Sequence, residues 1–266
     1  MNSVKDPAPP LRGVASKRWG ILHNNYMGIR VPFAEGEWYH CYSRGIDKRI
    51  TFQDTHDYYR FKELLYLANS SRPLHRQTLS KHLSHEEIFY LDRDDLLVSI
   101  GAYALMPNHF HLLLFEIRDR GISTFMQKIG TAYTMYFNTK YERSGGLFTK
   151  PFRSRHVDND VYFQHVVGYI HSNPADLFEP HWKIGKIGST RNLGHKLIDY
   201  QYSSLALFAG KNRYDAAIIN PDVFDAYTNP PISRLIADAQ SYRKTFEATP
   251  RRKRVGRRSG MTAGIK

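Results

Sequence analysis

Two apolar runs separated by two turn residues constrain this chain most. Leu96 to Met106 and His109 to Glu116 flank Pro107-Asn108, a turn signal, and together they predict a β-hairpin. Side chains alternate along a strand, so His109 and His111 share one face while Phe110, Leu112 and Leu114 take the other. Two imidazoles side by side on a rigid element are what a divalent metal site needs. They read as well as ordinary histidines on a solvent-facing side of the strand, so the pair alone decides nothing.

The hairpin sits inside a larger order. Glu37 to Arg44 is aromatic and strand-like and ends at Gly45. Asp54 to Ala68 predicts a helix, with Asp54 as its cap and apolar positions at Tyr58, Phe61, Leu64, Leu65 and Leu67. After the hairpin, Ser123 predicts the cap of a long helix through about Tyr141, closed by Ser144-Gly145-Gly146. Leu147 to Val157 predicts a fourth strand, and Asp158-Asn159-Asp160 opens another helix that stops at Asn173-Pro174. The pattern β-α-β-β-α-β predicts an α+β fold: a ferredoxin-like, split βαβ antiparallel sheet with helices on one face, plus a further helix that carries Tyr169. The expected organisation is an N-terminal extension over 1–36, a main domain over 37–180, an accessory region over 181–245 and a basic, disordered tail over 246–266. Residues 69–95, rich in Ser, His and charge, predict a loop or small inserted element.

Charge narrows the partners. The 266 residues carry a formal charge of +13, which points first to nucleic acid and second to an anionic membrane surface. Arg251 to Arg258 reads as a non-specific DNA arm or as a solubilising tail. One cysteine, Cys41, excludes an internal disulfide and a Cys-rich zinc site. No run approaches the roughly 18 apolar residues of a membrane span, and the first residues lack a signal-peptide core. The expectation is a cytoplasmic protein, nucleoid-associated if bacterial, with no membrane partner.

The last helix offers what the histidine pair lacks. Tyr169 and Asn173 stand four residues apart and share one face, beside an apolar stripe of Phe163, Val167 and Ile170 that can lie on the sheet. So packed, the helix places the Asn173 amide oxygen at the metal and the Tyr169 hydroxyl about one phosphate away. Two imidazoles, one amide and open positions suit Mg²⁺ or Mn²⁺. A tyrosine beside such a metal suggests nucleophilic attack on a phosphodiester, with a covalent phosphotyrosine conserving the bond for later strand joining. Alternatively, Tyr169 is a core tyrosine and Asn173 a plain helix cap. His165, one turn before Tyr169, reads as an outer-shell group or as a solvated helix histidine. Arg153 and Arg155 share a strand face and suit phosphate contacts, as they also suit a solvated face.

The runs MPNHFHLLL, FTKPFRSRHV and YIHSNP, in that order, resemble the HUH-type single-tyrosine transposases, and in particular the REP-associated tyrosine transposases related to the small single-strand insertion-sequence enzymes. YHCYSRGIDKRITF with DTHDYYRFKELL, and the late IDYQYSSL, are similar to further segments of that family. The resemblance covers roughly residues 37–208, with gaps. It implies a metal-dependent nuclease and strand transferase that attaches to a 5′ phosphate of single-stranded DNA, leaves a free 3′ hydroxyl and recognises imperfect hairpins beside short single-stranded guides. It implies metal ligation by His109, His111 and Asn173 and a nucleophile at Tyr169; Arg44, Lys150, Arg153 and Arg155 lie in the family-like segments and are the candidate DNA contacts. The chain departs from the family in ADLFEPHW after Pro174, in longer segments at 1–36, 69–95 and 181–196, and in the basic tail. The expected partner is single-stranded or hairpin DNA, bound by a monomer or homodimer. A domesticated relative that binds structured DNA or RNA without cutting is the alternative, for which the full set of four site residues has no use.

Overall fold

A computed structural model describes residues 32–71 and 83–248. Most of the expected extension, residues 72–82 of the inserted segment and the Arg251–Arg258 run lie outside the described residues.

Four strands form one antiparallel sheet: β1 (Trp38–Arg44), β2 (Val98–Met106), β3 (His109–Glu116) and β4 (Arg153–Val157), in the order β2-β3-β1-β4. This is the split βαβ arrangement that the pattern predicts. The hairpin register pairs Met106 with His109 and Leu105 with Phe110, so Pro107-Asn108 is the turn itself. β4 is shorter than the Leu147–Val157 run, and Phe148 contributes only an isolated bridge to Gly45.

Helix α1 (Thr55–Leu67) begins where the sequence predicts. The Asp54 carboxylate accepts the Asp57 N–H at 3.1 Å, and Asp57 answers on the Asp54 N–H, closing a capping box. Helix α2 (Gly121–Lys140) starts two residues before Ser123. Its first turn is satisfied from outside the helix: Glu116, at the end of β3, accepts the Ile122 N–H at 2.7 Å. Both helices cover one sheet face, where Phe61, Leu65, Phe125, Ile129 and Tyr133 meet Cys41, Tyr103, Phe110, Leu112 and Leu114.

The opposite face is covered by the further helix that carries Tyr169, as the sequence predicts. Helix α3 (Asp160–Ser172), capped by Asn159 on the Tyr162 N–H at 2.8 Å, lays Phe163, Val166, Val167 and Ile170 on Trp38, Ala102, Ala104, Leu113 and Val157. Its apolar stripe is continuous with the small side chains of β2, which let the helix lie close to the sheet. Among the described residues the remaining α-helices are α4 (Ala175–Phe178), α5 (Thr190–Ile198), α6 (Leu205–Phe208), α7 (Asp222–Ala226) and α8 (Ile232–Ala248). A third cluster joins Trp182, Leu193 and Leu197 to Leu235, Ile236 and Ala239 of α8, and Tyr242 of α8 reaches the α3 cluster.

Chain segments after α5 run along the outer edge of β2. The Leu105 N–H donates to the Tyr202 carbonyl at 2.9 Å, Ser204 N–H to Tyr103 at 3.0 Å and Asn220 N–H to Ile100 at 2.9 Å. Among the described residues, no helix is long and apolar enough to cross a membrane.

Candidate active site

The sheet register decides which side chains meet under α3. Directly opposed residues of neighbouring strands point to the same face. Tyr42 opposes His111, Arg44 opposes His109, Arg155 opposes His40 and Arg153 opposes Tyr42. One face therefore carries His40, Tyr42 and Arg44 from β1, His109 and His111 from β3, and Arg153 and Arg155 from β4.

Helix α3 brings Tyr169 to this face. Its ring centroid lies 5.6 Å from that of His111 and 5.7 Å from that of His40, edge-on to both. His109 and His111 stand 5.1 Å apart with their rings nearly perpendicular. On its other side Tyr169 meets Tyr242 of α8 at 4.8 Å, and Tyr242 shares a hydrogen bond of 3.1 Å with the Tyr162 hydroxyl. One chain thus supplies both the histidine pair and the tyrosine.

Asn173 forms the C-cap of α3, one turn beyond Tyr169. Its side-chain nitrogen donates back to the Tyr169 carbonyl at 2.8 Å, which commits the amide's donor side to the helix and leaves its oxygen as the end able to accept or ligate. It serves as a cap. Three residues later, Asp176 is close enough to His109 to act on its charge. His165 is half-buried one turn before Tyr169.

Burial keeps the imidazoles neutral. It pushes His40 down to about 3, with Arg155 adding to the effect, and His109 down to about 4, with Arg44 adding to it. His111 is pushed well below the usual histidine value by burial and by the neighbouring His40 and His109. A neutral imidazole is the form that ligates a metal. Among the described residues no three His, Cys, Asp or Glu side chains converge as a ligand set. Two neutral imidazoles joined by an amide oxygen would be a donor set that fits a hard divalent cation with open positions.

Residues 68–173 match the family model described as "Transposase IS200 like". The matched span includes both histidines and Tyr169 and ends on Asn173. A solved structure described as a REP-associated tyrosine transposase bound to a REP hairpin is similar at 14% identity, covering 70% of this chain and 88% of that one, with a TM-score of 0.43. No curated protein matches the chain.

The four cations singled out as DNA contacts differ in exposure. Arg44 is exposed beside His109, and Arg153 is exposed on β4. Arg155 is half-buried, and its guanidinium lies 3.5 Å from the Tyr162 hydroxyl. Lys150 is exposed outside the sheet, next to Thr149, whose N–H donates to the Arg44 carbonyl at 2.8 Å.

Sequence reading missed His40. It is fully buried, and its Nε2 lies 2.9 Å from His111 Nδ1. The period-two pattern of β1 puts His40 in phase with Tyr42 and Arg44. Taking β1 as the neighbour of β3, as the split βαβ order requires, sets that trio beside the histidine pair.

Proposed function

We propose that this chain is a metal-dependent transposase that cleaves and rejoins single-stranded DNA at hairpin, REP-like sequences through a covalent 5′-phosphotyrosine on Tyr169. The observation that carries the reading is the Tyr169 ring at 5.6 Å from His111, on the face that also holds His109. His109, His111 and the Asn173 oxygen would hold Mg²⁺ or Mn²⁺. When bound, that ion supplies charge stabilisation on the phosphoryl oxygens and orients the scissile phosphate.

The chain's own groups do the rest. The Tyr169 oxygen attacks phosphorus as its proton departs, the bond to the 3′ oxygen breaks, and that oxygen takes up a proton to leave as a hydroxyl. A 3′ hydroxyl attacking the phosphotyrosine reverses these bond changes and frees Tyr169. Arg44 and Arg153 grip phosphates next to the scissile one, and Lys150 extends the cationic path past the end of the sheet.

The test is a covalent adduct. A hairpin-bearing oligonucleotide incubated with the full chain and Mn²⁺ should give a denaturation-resistant protein–DNA species. Chelation should reduce its yield by about 100-fold or more. An adduct that survives chelation undiminished would remove the metal from the mechanism, and a gel shift with no adduct in either cation would favour a non-cleaving binder. Arg153→Ala should weaken oligonucleotide binding at all sequences alike and flatten the plot of log affinity against log salt by about 0.7, the loss of one phosphate contact on a single strand.

A further inference from the structure

An imidazole gives a lone pair to a metal only through a ring nitrogen that bears no hydrogen. The partner of the other nitrogen therefore fixes whether a histidine can ligate. In both β3 histidines that other nitrogen is Nδ1. His109 Nδ1 lies 2.6 Å from Asn108 Oδ1. The Asn108 amide is turned this way because its Nδ2 donates to the Lys48 carbonyl at 3.3 Å. An amide oxygen only accepts, so the His109 hydrogen is on Nδ1.

His111 repeats the arrangement with a different partner. Its Nδ1 lies 2.9 Å from His40 Nε2, and a single hydrogen occupies that contact. If His111 donates it, His111 Nε2 keeps its lone pair. If His40 donates it, the His111 hydrogen moves to Nε2 and no ligating atom is left. The His111 ring packs against both His40, at 5.0 Å, and Tyr42, at 5.4 Å, and is only 4% exposed, so a ring flip would require these neighbours to move.

We propose that His40 and Asn108 are positioning residues that hold His111 and His109 in the Nδ1–H tautomer, leaving both Nε2 lone pairs to one divalent cation. The inference rests on the metal reading of the two histidines, but the tautomers exist without the metal. It assigns His40 a role in the transposase that the matched span, beginning at residue 68, does not contain.

Two measurements on the full chain test it. In the metal-free, ¹⁵N-labelled protein near neutral pH, long-range proton–nitrogen correlation spectra should place the hydrogen of both β3 histidines on Nδ1. In calorimetric titration with Mn²⁺, His40→Leu should weaken binding by about 10- to 100-fold. His40→Gln, which can put an oxygen where Nε2 stood, should stay within about threefold of wild type. Asn108→Ala should weaken binding in the same range, and each variant's melting curve without metal separates a folding defect from a ligand defect. If His40→Leu does not fold, the wild-type spectra and the Gln variant decide. A hydrogen on His111 Nε2 alongside tight Mn²⁺ uptake overturns the proposal alone, as does unchanged Mn²⁺ affinity in a folded His40→Leu. Wild-type chain with the expected tautomers that takes up no Mn²⁺ overturns the metal reading and the proposal with it.

Discussion

Tyr169→Phe should lose the covalent protein–DNA adduct by about 1000-fold or more while binding the same oligonucleotide within about threefold of wild type. The substitution removes one oxygen and nothing else. The ring contacts with His40, His111 and Tyr242 persist, so the chain should still fold, which a melting curve checks. A phenyl ring has no atom that can attack phosphorus, and the neighbouring phenols are engaged: Tyr162 and Tyr242 share a hydrogen bond of 3.1 Å. Tyr242→Phe is the matched control and should still form the adduct. The readout is a labelled band that resists denaturation, scored against a gel shift under native conditions. A Tyr169→Phe band as strong as wild type would move the nucleophile to another of the 18 tyrosines.

The largest effect on stability should come from Asp215→Ala. Asp215 is fully buried and accepts from Lys62 Nζ at 2.9 Å, from Arg213 Nε at 2.9 Å and from the Tyr103 hydroxyl at 2.9 Å. These contacts fasten the 213–215 segment to α1 and β2. Lys62 is itself only 1% exposed, so removing the carboxylate strands a buried ammonium. Breaking one partner of a buried pair costs about 3–5 kcal/mol, which in a domain of this size lowers the melting temperature by roughly 10 °C. Lys62→Met together with Asp215→Ala should recover much of that loss, since the stranded charge is gone. Burial alone would raise the Asp215 carboxyl, but Lys62 and Arg213 outweigh it and hold the group below its ordinary value. A carboxyl depressed in the folded state stabilises fully above its unfolded value and loses that contribution as pH falls through the folded one. Wild type should therefore lose stability on acidification below about pH 4, and the doubly substituted chain should lose less of it.

Much of this architecture was legible because local and long-range signals agreed. Asp54 and Asn159 cap α1 and α3 through their own side chains, and Pro107-Asn108 turns the hairpin, so each boundary is written where it occurs. The start of α2 was misplaced because its first turn is satisfied by Glu116 from the preceding strand, a partner that no helix-local pattern reveals. The helix on the second face was legible from the Phe163, Val167 and Ile170 stripe beside Tyr169, but the surface that receives it was not. The small side chains Ala102 and Ala104, which let α3 lie on the second face, look like any other apolar positions until the pairing is known. At the site, the histidine spacing and the Tyr169/Asn173 spacing pointed to residues that the fold sets at one end of one sheet face and on the helix above it. His40 was missed because its significance is a cross-strand relation. It becomes visible only when β1 and β3 are neighbours in register.

The covered edge of β2 has a consequence for how copies of this chain can meet. All nine residues of β2 are buried, as in a strand at the centre of a sheet, although β2 is outermost. The later segments that bond to Leu105, Tyr103 and Ile100 occupy main-chain groups that an outermost strand would otherwise offer to a stranger. The other outermost strand, β4, is five residues long and guarded by Arg153 and Arg155. Two copies brought close together therefore find little opportunity to zip their sheets together. In a protein with a formal charge of +13, which any polyanion would gather, that is a built-in guard against aggregation.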